Sequence, residues 1–163
     1  MEQVRQKVFD HLEKMGIPYE VMQHPAVYTI DEMNELGIGA QGEVLKNLFL
    51  RDDKKKRFFL VVLRNDKKAN LDELHTKLGS RKLSFASEEY LSRYLGLEKG
   101  SVSPFGILND DDRAVEVVVD KDLLSLARIG VHPNENTATV WISFQDLQRV
   151  IQEHGNDVIP IEI

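Results

Sequence analysis

The chain has 163 residues, no cysteine, and 27 acidic against 21 basic side chains, for a formal net charge of −6. That length fits one domain spanning residues 1–163, and the lack of cysteine excludes disulfides, thiolate metal sites and a cysteine nucleophile. The polar start Met1-Glu2-Gln3-Val4-Arg5 has no secretory apolar segment and no run nears the roughly 20 residues of a membrane helix, so cytoplasm is the expected compartment and no membrane partner is expected.

Val4, Val8, Phe9, Leu12 and Met15 recur at helical spacing and predict a helix over 2–15, stopped by Gly16. Pro18 to Gln23 reads as extended, and His24-Pro25 as a turn or extended link. Thr29 with Glu32 predicts a capped short helix ending at Gly37. Glu43 to Arg51 and Arg57 to Leu63 read as two strands joined by a charged loop. Leu71, Leu74, His75 and Leu78 predict a helix closed by Gly79, and Ser87 caps the next, with Tyr90, Leu91, Tyr94 and Leu95 on its apolar face. Pro104 to Leu108 and Ala114 to Val119 are expected to form a hairpin turned at Asn109 to Asp112. Lys121 to Ala127 suggests a short helix. Ile129 to His132 and Ala138 to Ile142 read as strands, Ser143 to Gly155 as a capped helix, and Val158 to Ile163 as a last strand. Mixed elements with hairpin-length links predict an α/β fold of the mixed α+β kind, a mixed sheet with helices around it.

Charge is unevenly spread. Residues 46–82 hold 12 basic and 5 acidic side chains, so the middle alone is basic. Arg51, Lys54, Lys55, Lys56 and Arg57 concentrate there and are candidates for phosphate contacts, or else form a solvated hairpin loop.

Three segments could carry chemistry. Lys46 and Asn47 lie in Val44-Leu45-Lys46-Asn47-Leu48-Phe49-Leu50, where alternation puts Lys46 with Val44, Leu48 and Leu50 and Asn47 with Leu45 and Phe49. A lysine in a strand apolar on both faces needs a cavity, an anion or a strand end where it reaches water. Gly100-Ser101-Val102-Ser103-Pro104-Phe105-Gly106 makes a loop able to aim backbone N–H groups at a carbonyl oxygen or a phosphate, or an ordinary connection. His132-Pro133-Asn134-Glu135-Asn136-Thr137 places a histidine at a turn, suited to a pocket rim or to a structural hydrogen bond. His11 reads as surface, and His24, His75 and His154 have no recognisable catalytic or metal spacing. No zinc-like, Walker or dinucleotide motif is present.

In this order these segments resemble the YbaK-like aminoacyl-tRNA editing domains, and among them the free-standing alanyl-tRNA(Pro) deacylases of the ProX/PrdX group. The similarity runs over essentially the whole chain. It rests on Val44 to Leu50, Gly100 to Pro104, and Val131 to Val140. The resemblance implies the YbaK, or prolyl-tRNA synthetase-associated, fold: a mixed, partly barrel-like sheet surrounded by helices. It implies that Lys46 is the family's functional lysine, Asn47 the neighbouring asparagine of the alanine-specific group, Gly100 and Pro104 the ends of its GXXXP loop, and His132 the histidine opposite that loop. It also implies no metal and no cofactor.

The expected reaction is hydrolysis of the ester between an amino acid and the terminal ribose of tRNA. Lys46, Gly100 and His132 are the expected catalytic residues, with Asn47, Ser101, Val102, Ser103, Pro104 and Asn136 binding the substrate. No serine or cysteine triad is evident, so a covalent intermediate is not expected. The expected partner is the acceptor end of an aminoacyl-tRNA, tRNA(Pro) foremost, with prolyl-tRNA synthetase as a further partner. Cysteine on the same tRNA, serine, threonine or alanine on others, and a non-catalytic binding role remain open alternatives at this level.

Overall fold

The computed structural model describes residues 2–26, 32, 35, 37 and 43–163. The helix expected from Thr29 to Gly37 lies largely outside them. In chain order the elements are α1 (Glu2–Lys14), β1 (Glu20–Gln23), β2 (Glu43–Asp52), β3 (Phe58–Arg64), α2 (Leu71–Leu78), β4 (Leu83–Phe85), α3 (Glu88–Leu95), a 3-10 turn (Pro104–Asn109), β5 (Val115–Asp120), a second 3-10 turn (Lys121–Leu123), β6 (Ile129–Val131), β7 (Ala138–Ile142), α4 (Phe144–His154) and β8 (Val158–Ile161). Helix ends follow from their caps. Asn70 accepts the N–H groups of Asp72 and Glu73 at the start of α2, and Gly79 ends it at φ 66°. Ser143 accepts the N–H of Asp146 and Gly155 closes α4.

Eight strands form one mixed sheet in the order β1-β7-β6-β2-β3-β5-β8, with β4 also on β2. β2 is its long central member. Along one edge it pairs with β3, antiparallel, from Leu45↔Arg64 to Arg51↔Phe58. Along the other edge β6 covers only Glu43 and Val44, in parallel, and β4 covers only Leu50 to Asp52. Between them, Leu45 to Phe49 face no strand among the described residues. Alternation then divides the interior in two. Leu45, Phe49, Phe58, Leu60 and Val62 join a large core with α1, α3, α4 and the Pro104–Asn109 turn, while Leu50, Phe59, Val61 and Leu63 join a smaller one with Leu74, Leu83 and Ile161.

Two expectations are corrected. Pro104 to Leu108 is not a strand of a hairpin but a fully buried 3-10 turn: Ser103 accepts the N–H of Phe105, and Pro104 fits the first helical position. The turn expected at Asn109 to Asp112 instead holds buried Asp110, which accepts the N–H groups of Ala114 and Val115 and the Asn156 side chain. β5 therefore runs parallel between β3 and β8. The helix expected over Lys121 to Ala127 shortens to one 3-10 turn ending at Leu123. β4 was not anticipated; three residues are too few for alternation to register.

Gly106 sits where the 3-10 turn packs on α3. A Cβ there would stand 2.8 Å from Leu97 Cδ1 and 3.1 Å from Leu95 Cβ. Gly106→Ala should therefore overpack the core by about 2 kcal/mol and lower Tm by roughly 4–8 °C in a thermal melt; an unchanged Tm would mean the turn yields freely.

Candidate active site

The open stretch of β2 borders a cleft of about 510 Å³. Asn47, Leu48 and Phe49 line it from the strand, Phe85 and Ala86 from the end of β4, Ser87, Glu88 and Leu91 from the start of α3, and Lys99 and Val102 from the loop after α3. The Ala86 N–H donates to Phe49 O at 2.9 Å, which fixes the end of β4 against β2 and sets the cleft's width. Asn47 Oδ1 is buried and has no hydrogen-bond partner among the described residues. A buried unpaired acceptor is costly, and a ligand donor would relieve it.

Gly100 turns its loop at φ 90°, a conformation open chiefly to glycine. Ser101 N–H is occupied by Glu98 O at 3.0 Å. The N–H groups of Gly100 and Val102 donate to no acceptor among the described residues. Ser103 is fully buried; its hydroxyl donates to His132 O at 2.5 Å and accepts the Phe105 N–H. Asn134, at φ 63°, donates to Phe105 O from the other side. The glycine loop and the His132–Thr137 loop are thus bonded together, although His132, Gly100 and Lys46 are not among the residues that line the cleft beside Asn47.

His132 Nδ1 lies 3.0 Å from Ala138 O. A carbonyl only accepts, so Nδ1 carries the proton and Nε2 keeps its lone pair. Burial, against a smaller upward push from that hydrogen bond, lowers the pKa of His132 from 6.5, and nearby His24 lowers it further. The ring is neutral at pH 7. Below it, Glu135 is 3% exposed, paired with Arg5 at 3.2 Å and bonded to the Thr137 hydroxyl, and Asn136 is buried beside it. This support ties α1 to the histidine loop. His24, unremarkable in the sequence, is brought in by the β1–β7 pairing: its N–H donates to Thr137 O, Nδ1–H donates to Pro25 O, and Nε2 accepts from the Thr139 hydroxyl. Its ring centroid lies 6.3 Å from that of His132. Only its place in the fold could have revealed it.

Lys46 leaves β2 on the face opposite Asn47. Its ammonium is half-buried and donates to Lys67 O at 2.5 Å. That carbonyl is itself held in place, because Lys67 Nζ is paired with Asp120 and Asp122 and bonded to Ile163 O. Lys46 makes no ion pair among the described residues. Other cations of the basic segment do: Arg57 is held by Glu116 through two bonds of 3.0 and 2.9 Å, Arg64 by Asp66 and Glu43, and Arg81 by Asp53. Arg51 caps Asp52 O. Lys54, Lys55 and Lys56 project from the β2–β3 turn and are exposed, with Lys55 Nζ 6.0 Å from the Tyr90 ring. Along β2 that turn lies about 25 Å from Lys46 at 3.3 Å per residue.

A histidine whose folded pKa is depressed binds fewer protons than its unfolded counterpart just below 6.5. Stability therefore rises with pH across that window and is lost as pH falls through it, at up to about 1.4 kcal/mol per pH unit for one full proton. His11, also lowered by burial, adds to the same slope. Denaturant titrations between pH 5 and 6.5 should give a shallower slope for His132→Gln than for the wild type; equal slopes would mean His132 titrates as in the unfolded chain.

Comparison with known proteins places this arrangement. The profile of the aminoacyl-tRNA editing domain family matches residues 24–150. The chain is 46% identical over 159 residues to the prolyl-tRNA editing protein ProX of Acetoanaerobium sticklandii, covering 98% of this chain and 97% of that one. It is 36% identical over 152 residues to the prolyl-tRNA synthetase associated domain-containing protein 1 of Danio rerio, 92% of this chain and 82% of that one. Shorter matches lie within proline–tRNA ligases. A solved structure of a proposed trans-editing enzyme for prolyl tRNA synthetase superposes with a TM-score of 0.74 over 98% of this chain and 97% of that one; at 20% identity it shows the fold alone. The mixed eight-stranded sheet, the paired loops and the sequence likeness agree: the chain belongs to the aminoacyl-tRNA editing domain family.

Proposed function

We propose that this protein is a trans-editing deacylase that hydrolyses the ester joining a wrong amino acid to the terminal ribose of a tRNA, with alanine on tRNA(Pro) as its preferred substrate. The observation that carries the reading is the cleft at the open edge of β2. There an unpaired amide oxygen, Asn47 Oδ1, shares one cavity with Val102 of the glycine loop, whose N–H, like that of the neighbouring Gly100, is unused among the described residues. The name of the A. sticklandii relative supports tRNA(Pro) over other tRNAs. The site of action is the cytoplasm, where aminoacylated tRNA is made and used, and a prolyl-tRNA synthetase is the natural source of the mischarged substrate.

Each group has a task set by its chemistry. Water attacks the ester carbonyl carbon, the carbonyl oxygen gains charge, and the bond to the ribose oxygen breaks as that oxygen takes a proton. Free amino acid and an unacylated 3′ end result. The Gly100 and Val102 N–H groups stabilise the developing oxyanion. Asn47 Oδ1 accepts a hydrogen bond from the substrate ammonium. His132 Nε2, held with its lone pair free, accepts a hydrogen bond from the water or the ribose hydroxyl. Ser101, Ser103 and Pro104 hold the loop in shape, and Asn136 buttresses His132. Lys46 stands on the other face, so one ligand meets both Lys46 and Asn47 only by passing over the unpaired edge of β2. An RNA 3′ end is thin and long enough to do so. Lys46, without a carboxylate partner, then anchors a phosphate.

Selection against proline has a size logic. A synthetase pocket shaped for proline rejects the smaller alanine poorly, and a second site that rejects proline by overlap corrects the error. Purified protein should release alanine from alanyl-tRNA(Pro) and leave prolyl-tRNA(Pro) intact, and Lys46→Ala should lower kcat/KM by about 100-fold or more. Loss of cysteine, serine or threonine instead would move the substrate assignment; full activity of Lys46→Ala would remove the lysine from the mechanism.

The exposed Lys54, Lys55 and Lys56 are placed to meet phosphates several nucleotides from the 3′ end, whereas Arg51 and Arg57 are engaged within the protein. Replacing the three lysines with alanine should weaken tRNA binding and reduce the slope of log K against log salt by up to about 3. An unchanged slope would return the loop to plain solvated surface.

A further inference from the structure

The cleft beside Asn47 is several times larger than a small amino acid needs, and its size is that of a drug-sized ligand site. Its rim carries a side chain that folding does not explain. Phe85, last residue of β4, is 61% exposed, more than Val21 or Leu124, the other large apolar side chains left in water among the described residues. Its backbone is fixed by the pairing of β4 with β2 and by the Ala86–Phe49 hydrogen bond, so the ring is displayed from a rigid element. Two charged residues of the same cleft, Glu88 and Lys99, are exposed and form no ion pair among the described residues. An aromatic face, a carboxylate and an ammonium around one cavity match the three parts of a nucleotide. The base stacks on the ring, the ribose hydroxyls donate to the carboxylate, and the phosphate takes the ammonium.

We infer that Phe85 is a positioning residue that stacks the terminal nucleobase of the RNA 3′ end, with Glu88 and Lys99 holding its ribose and phosphate. The inference rests on the deacylase reading and adds the part of the substrate that fills the outer cleft. With the base on Phe85, the ester lies toward Asn47 and Val102, so the amino acid is confined to the inner end and the wide outer cleft no longer defeats size selection. Stacking also requires no particular sequence, as suits an enzyme that meets the same 3′ end on every tRNA.

Phe85→Ala removes an exposed ring and leaves the core intact. With the aminoacyl-tRNA that the wild type hydrolyses, it should raise KM about 5- to 100-fold, the range of one lost base stack, at nearly unchanged kcat. Phe85→Trp should restore KM, and Phe85→Leu should not. A KM within twofold of wild type in Phe85→Ala, or rescue by leucine equal to that by tryptophan, overturns the inference. A second measurement does not depend on turnover. Fluorescence of Phe85→Trp, set against wild type with its single Trp141, should be quenched by an unacylated RNA ending in CCA and not by the same RNA with an abasic 3′ nucleoside. Equal response to both RNAs overturns the stacking even if the deacylase reading stands. A wild type inactive on every ester sinks that reading, while the quenching result still decides the role of Phe85.

Discussion

β2 is a strand asked to belong to two half-sheets at once. Its hydrogen bonds on one edge are fully met by β3, but on the other β6 reaches only Val44 and β4 begins only at Leu50. Everything about the site follows from that five-residue interval. The interval opens a cleft beside the sheet, and among the described residues it leaves the edge of β2 without a partner strand between its two faces. A backbone edge in a core is costly unless covered or used. Here α3, the end of β4 and the Gly100 loop crowd around it without sealing it.

Four of the twelve cations in the basic middle of the chain are neutralised: Glu116, Asp66, Asp53, and Asp120 with Asp122 pair with Arg57, Arg64, Arg81 and Lys67. Several lysines remain without a carboxylate partner among the described residues. Lys46 is half-buried with one carbonyl as partner, and Lys99 and the Lys54–Lys56 turn stand free in solvent. Lys14, Lys68, Lys82 and Lys121 are likewise exposed and form no ion pair among the described residues, so the unpaired cations are spread over the surface, and Lys99 is the one that lines the cleft.

Much of this could be read from the chain. The caps at Gly79, Ser143 and Gly155 mark helices because the side-chain oxygen or the left-handed backbone needed there is local chemistry. The opposite faces of Lys46 and Asn47 follow from the two-residue period. Pro104 to Leu108 reads as a strand because a short, wholly apolar run has no polar face to reveal its period, and burial hides whether it is strand or turn. The hairpin inference failed with it, since Asp110 builds its turn through long-range bonds to Asn156. At the site, His24, Phe85 and the Arg5–Glu135 pair were silent for one reason: each matters through a neighbour more than thirty residues away, and spacing carries no such information. The pairing of most arginines was equally invisible, so the sequence overstated the basic patch.

One hydroxyl has a mechanical meaning. Ser103 donates to the backbone of His132 and accepts from the backbone of Phe105, with Asn134 reaching back to Phe105 from the opposite loop. Two loops that come from distant parts of the chain are thereby joined into one unit. The spacing between the glycine loop and the backbone of His132 is therefore set by direct hydrogen bonds. The Val102 side of the cleft is thus backed by a buried hydrogen-bonded unit, and a substitution at Ser103 or Asn134 would reach the wall of the cleft without touching its lining.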